Sequence, residues 1–187
     1  FLKSDILDTN NYIRYLNNID CAINIAAESH VDNSFGNSIK FTKTNTLGTH
    51  VFLENCINKQ VKKIIHISTD EVYGDKIKGL SYETDIMNPT NPYSASKAAA
   101  EMIINSYKYV YKKDIIIIRA NNIYGTRQFP EKLIPLCILN ALGGKDIPIY
   151  GDGEQIRDWL YVRDHCSAIR CVLKAGKVGE TYNIGGL

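Results

Sequence analysis

Asp114-Ile115-Ile116-Ile117-Ile118-Arg119 contains four consecutive isoleucines and therefore has no polar face. β-branched residues favour strands, and a strand that is apolar on both faces is typical of a parallel sheet covered by helices on both sides. The stretch Lys63-Ile64-Ile65-His66-Ile67-Ser68 has the same character and predicts a second buried strand. Together they indicate an α/β fold with a parallel sheet at its centre.

Helical patterns alternate with the strands along the chain. Helices are predicted at residues 39–59, 91–112 and 131–143, and from a cap at Asp164 to about Ala175. Shorter strands are predicted at residues 20–27, 147–150, 156–161 and 180–184. This alternation predicts a doubly wound parallel sheet with right-handed crossovers. We expect residues 1–124 and 153–187 to form this domain, and residues 125–152 to belong to a smaller substrate-binding lobe.

Composition excludes several classes of protein. The formal net charge of +2 favours neither a nucleic-acid partner nor a membrane surface. No apolar run reaches the roughly 18 residues of a membrane span. Five cysteines, an odd number without paired short spacings, fit neither a disulfide framework nor a zinc site. The sequence therefore predicts a cytoplasmic globular protein without a metal site.

Tyr93 and Lys97 are four residues apart near the start of a predicted helix, so both project from one face. A lysine ammonium near a phenol lowers the tyrosine pKa, and such a tyrosine can accept a proton from a sugar hydroxyl. Taken alone, the pair equally fits an exposed helix surface. Ser68-Thr69 ends a predicted parallel strand, however, where doubly wound sheets bind ligands. Its hydroxyls can orient the same substrate hydroxyl.

Asp70-Glu71 follows directly and adds two carboxyl groups. They could simply cap a loop. In a closed site, one carboxyl group can instead stay protonated as an acid while the other stays ionised as a base. Elimination of water from a sugar needs that pair.

These motifs resemble nucleoside-diphosphate-glucose 4,6-dehydratases of the extended short-chain dehydrogenase/reductase superfamily. The resemblance rests on five stretches: residues 26–34 (AAESHVDNS), 68–74 (STDEVYG), 89–97 (PTNPYSASK), 129–135 (FPEKLIP) and 157–162 (RDWLYV). It covers nearly the whole chain. Asn121-Asn122-Ile123-Tyr124-Gly125 is similar to the UDP-glucose branch that feeds rhamnose synthesis in plants and some large viruses. Pro148-Ile149-Tyr150 is more similar to bacterial dTDP-glucose enzymes, so both bases stay open.

The resemblance implies a three-step reaction with NAD as cofactor. Tyr93 removes the C4 hydroxyl proton while hydride passes to NAD, assisted by Thr69 and Lys97. Glu71 then takes the C5 proton while Asp70 protonates the departing C6 hydroxyl. Hydride finally returns to C6, which yields a 4-keto-6-deoxy sugar.

The resemblance also implies binding residues. The residues expected at the cofactor are Asp5, Ile6, Ala26, Ala27, Glu28, Ser29, Thr44, Tyr93 and Lys97. The residues expected at the substrate are His30, Thr69, Asn122, Lys132, Leu133, Pro148, Ile149, Tyr150 and Arg157. Arg157 suits a diphosphate because its planar fork can contact two oxygens. Three of these positions have plain structural readings as well: Tyr150 as a core aromatic, His30 as a loop histidine and Lys132 as a solvated helix charge.

The sequence departs from the family pattern in two respects. Ile123 stands where bacterial members carry an asparagine, and the UDP-glucose branch also has an aliphatic residue there. No Gly-x-x-Gly-x-x-Gly segment occurs, although that loop normally approaches the cofactor pyrophosphate. We therefore expect the chain to be a fragment, with that loop before Phe1 and the distal lobe after Leu187, and we expect the isolated chain to bind NAD poorly.

Two alternative functions remain at this point. One is a related nucleotide-sugar epimerase or decarboxylase, which shares the Thr, Tyr and Lys but lacks the adjacent acid pair in this role. The other is an inactive fragment or binding protein of the same fold. The resemblance further implies a homodimer through helices 39–59 and 91–112.

Overall fold

A four-stranded parallel sheet forms the centre of the computed structural model, which describes residues 1–76 and 79–185. Gly186 and Leu187, the end of the third predicted segment, lie outside the described residues. The strands are paired in the order β1-β2-β3-β6. Their bounds are β1 Cys21–Asn24, β2 Lys63–Thr69, β3 Asp114–Ala120 and β6 Thr181–Ile184. A separate two-stranded parallel sheet joins β4 Asn122–Tyr124 to β5 Trp159–Tyr161.

Helices connect and cover these strands. Their bounds are α1 Thr9–Tyr12, α2 Val31–Gly36, α3 Ser38–Phe41, α4 Gly48–Asn58, α5 Pro92–Tyr111, α6 Leu133–Leu142 and α7 Val162–Ala175. Short 3₁₀ turns occupy Ile13–Leu16 and Asp70–Tyr73. The predicted helix at 39–59 is confirmed, but a π-helical segment, Thr42–Leu47, interrupts it between α3 and α4. Within residues 1–76 and 79–185, no helix has the length and apolarity needed to cross a membrane.

The isoleucine run in β3 divides its side chains between two cores. Ile115 and Ile117 belong to one cluster with residues of α4 and α5, whereas Ile116 and Ile118 pack with Ile169 of α7. All four isoleucines of the run are fully buried. The sheet is therefore covered on both faces, which confirms the predicted doubly wound α/β class and explains why neither face of β3 is polar.

Two local predictions were wrong. Residues 147–150 form no strand: Pro148 lacks a backbone donor, and the side chain of Ile149 is 74% exposed. Asp164 does not cap α7, because the helix begins directly after β5 with Tyr161 at the N-cap. Asp164 instead lies in the first turn, where a negative charge is favourable. The predicted strand at 156–161 is confined to β5.

The β4–β5 pair modifies the predicted arrangement of segments. β4 comes from the first predicted segment and β5 from the third, and the two strands run parallel with Asn122 opposite Trp159. These two segments therefore meet in a small second sheet as well as in the main one. The assignment of residues 125–152 to a separate lobe stays a prediction.

A capping box sets the start of the long helix α5. The Asn91 side chain accepts a hydrogen bond from the backbone N–H of Ser94, and the Ser94 side chain accepts one from that of Asn91. Pro92 occupies the first turn, where its missing N–H costs nothing. This start directs Tyr93 and Lys97 toward the carboxyl end of β2.

Candidate active site

Thr69 ends β2 and organises the two carboxyl groups that follow it. Its hydroxyl donates to Asp70 Oδ1 at 3.2 Å and accepts from the backbone N–H of Glu71 at 3.2 Å. The chain then turns through the short 3₁₀ segment. Thr69, Asp70 and Glu71 therefore lie together at the carboxyl edge of the sheet, as the sequence predicted.

Tyr93 reaches the same place from α5. Its ring is buried and packs edge-on against Phe41, with the ring centroids 6.2 Å apart. Burial raises the pKa of Tyr93, the negative charge of Glu71 raises it further, and a hydrogen bond with Thr69 opposes the rise. These interactions bring the phenol beside the strand-end hydroxyl and the carboxyl pair.

The two adjacent carboxyl groups have different surroundings. Burial, followed by the charge of Glu71, raises the pKa of Asp70 to about 6. Glu71 Oε2 accepts a hydrogen bond from Asn91 Nδ2 at 3.1 Å. Asp70 can therefore hold a proton near neutral pH, while Glu71 has an amide donor that suits a carboxylate.

Lys97 lies one turn beyond Tyr93, but its ammonium nitrogen is directed elsewhere. Lys97 is 2% exposed, and its Nζ donates to the carbonyl oxygen of Ile67 at 2.7 Å. Burial lowers the pKa of Lys97 to about 8. The expectation that Lys97 lowers the pKa of Tyr93 was wrong for this structure, because Nζ faces β2 while the phenol faces carboxyl groups.

The loop after β1 holds the residues predicted at the cofactor. Ala26, Ala27 and Ser29 are exposed, whereas Glu28 is half-buried. Asn45 binds both sides of the Glu28 peptide unit: its Oδ1 accepts from the Glu28 N–H at 2.9 Å, and its Nδ2 donates to the Glu28 carbonyl at 3.0 Å. These two hydrogen bonds fix the backbone of the loop at Glu28.

Asn45 also connects this loop to α5. Its Nδ2 donates to Ser96 Oγ at 2.9 Å, and Ser96 Oγ donates to the Tyr93 carbonyl at 2.7 Å. Asn45 lies in the π-helical segment, where Thr44 is half-buried. π-helical segments are frequent at functional sites.

Asp5 and Ile6 pack near the start of α4. Tyr12 donates to the Ile6 carbonyl at 2.9 Å, and Asp5 Oδ1 accepts from the Leu7 N–H at 2.8 Å. A Cβ atom on Gly48 would lie 2.6 Å from a methyl carbon of Ile6, so this close approach requires glycine. Contact of Asp5 and Ile6 with an adenine ring stays a prediction.

His30 and Lys132 meet beside the same loop, although they are far apart in sequence. Lys132 Nζ donates to the Ser29 carbonyl at 2.6 Å, and His30 Nε2 lies 3.3 Å from the Glu131 carbonyl. Burial lowers the pKa of Lys132. Lys132 is therefore a half-buried residue at the N-cap of α6 and not a solvated helix charge.

The other predicted substrate residues lie further along the chain. Leu133 is partly exposed at the start of α6, and Asn122 Nδ2 donates to the Asp158 carbonyl at 3.4 Å. Tyr150 is 62% exposed, so its reading as a core aromatic was wrong. The remaining members, Pro148, Ile149 and Arg157, share the irregular segment between α6 and β5. Their contact with a substrate stays a prediction.

Sequence reasoning missed several buried polar residues that shape the site. Asn24, Asn45 and His66 are all at most 3% exposed, and Asn91 supports Glu71. Asn24 and His66 interrupt otherwise apolar strands, which is a signal that could have identified them. Asn45 gave no comparable signal, because its partners lie 17 and 51 residues away.

A doubly wound sheet with a strand-end threonine, Tyr-x-x-x-Lys on the next helix and an adjacent acid pair defines a short-chain dehydrogenase/reductase of the extended type. The sequence model described as GDP-mannose 4,6 dehydratase matches residues 1–187, and the chain belongs to that family.

Curated relatives carry dehydratase names. The chain is 48% identical, over 99% of its length, to a trifunctional UDP-glucose 4,6-dehydratase/UDP-4-keto-6-deoxy-D-glucose 3,5-epimerase/UDP-4-keto-L-rhamnose-reductase from Arabidopsis thaliana, and covers 29% of that protein. It is 48% identical to a dTDP-D-glucose 4,6-dehydratase from Dictyostelium discoideum, covering 99% of this chain and 46% of the relative. The chain thus spans less than half the length of either relative.

Solved structures agree with the fold. The dTDP-glucose 4,6-dehydratase DesIV from Streptomyces venezuelae, solved with NAD bound, superposes with a TM-score of 0.96 at 43% identity. The match covers 98% of this chain and 57% of DesIV. UDP-glucuronic acid 4-epimerase from Bacillus cereus, in complex with UDP-glucuronic acid and NAD, gives 0.92 at 34% identity, with 98% and 59% covered.

Proposed function

We propose that the protein containing this chain is an NAD-dependent hydro-lyase that converts a nucleoside-diphosphate-glucose to its 4-keto-6-deoxy sugar. The observation that carries the proposal is the position of Asp70 and Glu71 beside Thr69 and Tyr93, with the pKa of Asp70 raised to about 6. Oxidation of an alcohol requires only Tyr93 with Thr69 and Lys97. Elimination of water additionally requires an acid and a base, which Asp70 and Glu71 can provide.

The loop at residues 25–29 fits NAD. The small exposed side chains of Ala26, Ala27 and Ser29 allow a ligand to approach the backbone, and Asn24 and Asn45 fix the peptide groups at Ala26 and Glu28. Among the described residues, the buried Ser68 Oγ at the end of β2 has no hydrogen-bond partner, so this edge has polar capacity for a ligand. Ala26 to Ser29, Thr44 and Lys97 would hold the cofactor, with Asp5 and Ile6 at its adenine.

Bound NAD would supply a hydride acceptor for C4, a hydride donor for C6 and, in its oxidised form, a positive charge near the phenol. The protein residues carry the protons. Tyr93 takes the proton from the C4 hydroxyl while Thr69 orients that hydroxyl by a hydrogen bond. The positive charge of oxidised NAD would oppose the burial and the Glu71 charge that raise the pKa of Tyr93. Lys97, whose Nζ is held on the Ile67 carbonyl, would contact the cofactor and, when protonated, would contribute a positive charge at this edge of the sheet.

Elimination then uses the two carboxyl groups in opposite protonation states. The C4 ketone acidifies C5, and Glu71 as carboxylate takes the C5 proton. Asp70, protonated, gives its proton to the C6 hydroxyl as the C–O bond breaks, so that water leaves. Glu71 is then protonated and Asp70 ionised. After exchange with solvent, Glu71 returns a proton to C5 as C6 receives its hydride. The proton that Tyr93 took from the C4 hydroxyl replaces, through solvent, the one that Asp70 gave up.

The reaction is tested with the full-length protein. UDP-glucose and dTDP-glucose are incubated separately in D₂O with the enzyme, and the products are identified by mass spectrometry and NMR. We expect a product lighter by one water and carrying deuterium at C5. A product with the mass of the substrate would instead identify an epimerase and contradict the proposal.

Tyr93→Phe is the matched control for that assay. The substitution retains the buried ring and its packing on Phe41 but removes the proton acceptor. We expect turnover to fall by about 10²–10⁴-fold, with unchanged thermal unfolding. Wild-type turnover in this variant would remove Tyr93 from the mechanism.

The identity of the base and the pathway belong to the same proposal. Relatives with UDP-glucose and dTDP-glucose names are equally similar, at 48%. The resemblance of residues 121–125 to the UDP-glucose branch favours UDP-glucose as the substrate and a role in rhamnose synthesis. His30, Asn122, Lys132, Leu133, Pro148, Ile149, Tyr150 and Arg157 are the proposed substrate contacts. Ratios of kcat/KM for the two substrates decide the base.

A homodimer through residues 39–59 and 91–112 is part of this proposal. Apolar side chains on these helices are exposed, including Ile39 (68%), Met102 (55%) and Val110 (65%). Burying such a surface in a partner would stabilise it. Light scattering of the full-length protein tests this, and a monomeric mass would contradict it. A cytoplasmic location is also proposed, supported by five unpaired cysteines.

A further inference from the structure

Three buried polar side chains form a connected row behind the catalytic helix. Asn24 in β1, His66 in β2 and Lys97 in α5 are 3%, 1% and 2% exposed. Asn24 Nδ2 lies 3.3 Å from His66 Nδ1, and His66 Nε2 lies 3.4 Å from Lys97 Nζ. The proposed reaction steps use Lys97 but assign nothing to Asn24 or His66.

The contacts of Asn24 determine the orientation of its amide. The backbone N–H of Ala26 can only donate, so the atom 3.2 Å from it must be the oxygen Oδ1. Nδ2 therefore faces Thr49 Oγ1 at 3.2 Å and His66 Nδ1. Because an amide nitrogen only donates, Nδ1 of His66 must accept.

The tautomer of His66 follows from that contact. Burial lowers the pKa of His66 well below its ordinary value, and the charges of Lys97 and Lys108 lower it further. The ring is therefore neutral and carries one proton. Since Nδ1 accepts from Asn24, the proton lies on Nε2, the nitrogen that faces Lys97.

The Nε2–H of His66 favours the neutral amine of Lys97 over its ammonium form. Nζ already donates to the Ile67 carbonyl at 2.7 Å. A neutral amine keeps a lone pair that can accept from His66 Nε2–H, whereas an ammonium has only donors and meets a donor. We propose that Asn24 holds His66 as its Nε2–H tautomer, and that this tautomer positions Lys97 and determines whether Lys97 carries a proton.

The same row links Lys97 to the loop at residues 25–29. Rotation of the Asn24 amide would let Oδ1 accept from His66 Nδ1–H and free Nε2 to accept from an ammonium. It would also turn Nδ2 toward the Ala26 N–H, which would lose its acceptor. The backbone of the loop therefore holds His66 in the tautomer that opposes protonation of Lys97.

Charged groups around the row of Asn24, His66 and Lys97 shift the pKa values of His66 and Lys97. Burial is the largest cause of the lowered pKa of Lys97, and Glu101 on the same helix opposes it. The charge of Lys108, also on α5, lowers the pKa of His66 further, although its Nζ donates to the Gly179 carbonyl at 3.0 Å. Arg119 of β3 pairs with Glu101, while the partners from β1 and α4, Asn24 and Thr49, are uncharged.

The tautomer is measured directly by NMR of the full-length protein labelled with ¹⁵N-histidine. His66→Gln assigns the signals by removing them. We expect an unprotonated Nδ1 and a protonated Nε2 at neutral pH. A protonated Nδ1, or an imidazolium, would overturn the proposal. This readout is independent of activity, so it separates failure of this proposal from failure of the proposed dehydratase function, on which the kinetic consequence rests.

Asn24→Asp reverses the tautomer. A carboxylate can accept from both the Ala26 N–H and His66 Nδ1–H, so Nε2 becomes an acceptor for a lysine ammonium. Because protonated Lys97 assists C4 oxidation, the rate should fall as pH rises through about 8. In the variant we expect that alkaline limb to move upward by about one pH unit, a tenfold change in proton affinity. The rate is followed by absorbance of the reduced nicotinamide in a single turnover.

A double variant separates the tautomer from the added charge. The new carboxylate alone also favours a lysine ammonium, so Asn24→Asp is repeated in a His66→Gln background. We expect the shift to be smaller there, because only the charge effect remains, while an equal shift in both backgrounds overturns the proposal. Asn55→Asp, which alters a buried asparagine bonded to Thr9 and Tyr12 instead, should leave the limb unmoved. If Asn24→Asp does not fold, the tautomer measured in the wild-type protein decides.

Discussion

Asp70 affects both the proposed reaction and the stability of the protein. Its pKa rises from 3.8 to about 6, so the folded protein binds the Asp70 proton more tightly than the unfolded chain does. The stabilisation from this group is complete below about pH 4. It is lost as pH rises through about 6. The buried Asp70 carboxyl group, which the proposed reaction needs, therefore lowers the free energy of unfolding at neutral pH.

Asp70→Asn should stabilise the protein at pH 7. A shift of about two pKa units predicts a gain of at most about 3 kcal/mol in the free energy of unfolding. At pH 3, where Asp70 is protonated in both states, the gain should vanish. Urea denaturation of the full-length protein at the two pH values measures this. An equal effect at both values would show that titration of Asp70 is not the cause.

The same variant should separate oxidation from elimination. The amide that replaces the Asp70 carboxyl group cannot give a proton to the C6 hydroxyl, so elimination should slow by about 10²–10⁴-fold while C4 oxidation persists. Reduced nicotinamide should then accumulate in a single turnover. In the wild type, elimination should slow as pH rises through about 6, because Asp70 loses its proton. Elimination at the wild-type rate in Asp70→Asn would contradict the acid role.

At the scale of elements, the start of α5 combines folding with catalysis in one side chain. Asn91 Oδ1 accepts from the Ser94 N–H at 2.8 Å, and Nδ2 donates to Glu71 Oε2 at 3.1 Å. The first contact caps the helix, and the second orients the carboxylate that is proposed to take the C5 proton. Substitutions can separate these two contributions.

Asn91→Ala should lower the free energy of unfolding by about 1 kcal/mol through loss of the cap. Asn91→Asp retains an acceptor for the Ser94 N–H but places a second carboxyl group beside Glu71. We expect it to keep most of the stability and to slow C5 proton exchange with D₂O. Denaturation and exchange rates measure the two effects. Equal stability of the Ala and wild-type proteins would exclude the capping contribution.

At the scale of the whole molecule, a buried ion pair ties the sheet to its flanking segments. Arg119 of β3 binds Glu101 of α5 through Nη2–Oε2 at 2.6 Å, and Nη1 donates to Tyr73 Oη at 2.7 Å. Tyr73 in turn donates to Asn183 of β6 at 2.7 Å. The pair therefore joins β3, α5, the 3₁₀ segment Asp70–Tyr73 and β6.

Glu101→Gln should destabilise the protein by about 3–5 kcal/mol, because it leaves Arg119 buried with its charge uncompensated. The double variant Glu101→Leu/Arg119→Met should be less destabilised than Glu101→Leu or Arg119→Met alone. Lys62→Ala breaks the exposed Lys62–Asp20 pair and should cause no measurable change. Urea denaturation compares all of them, and a fully additive double variant would argue against coupling.

The sequence by itself determined the two central strands, the long helix and the main cluster of the site. An isoleucine run that is apolar at every position suits only a doubly covered strand, so β2 and β3 were predictable. Tyr93 and Lys97 are related by helical spacing, and Thr69 to Glu71 are adjacent to a strand end. Each of these relations is local, and local relations are encoded by neighbouring residues.

Only the tertiary structure decided which way the functional groups turn. Lys97 was expected to face Tyr93, but its Nζ reaches Ile67 and His66, 30 and 31 residues away. The contacts of Asn45 with Glu28 and Ser96 likewise cross large distances in sequence. Residues 147–150 have the composition of a strand but form none. Hydrogen bonds to distant partners and burial between packed elements set these outcomes, and no local pattern in the sequence specifies them.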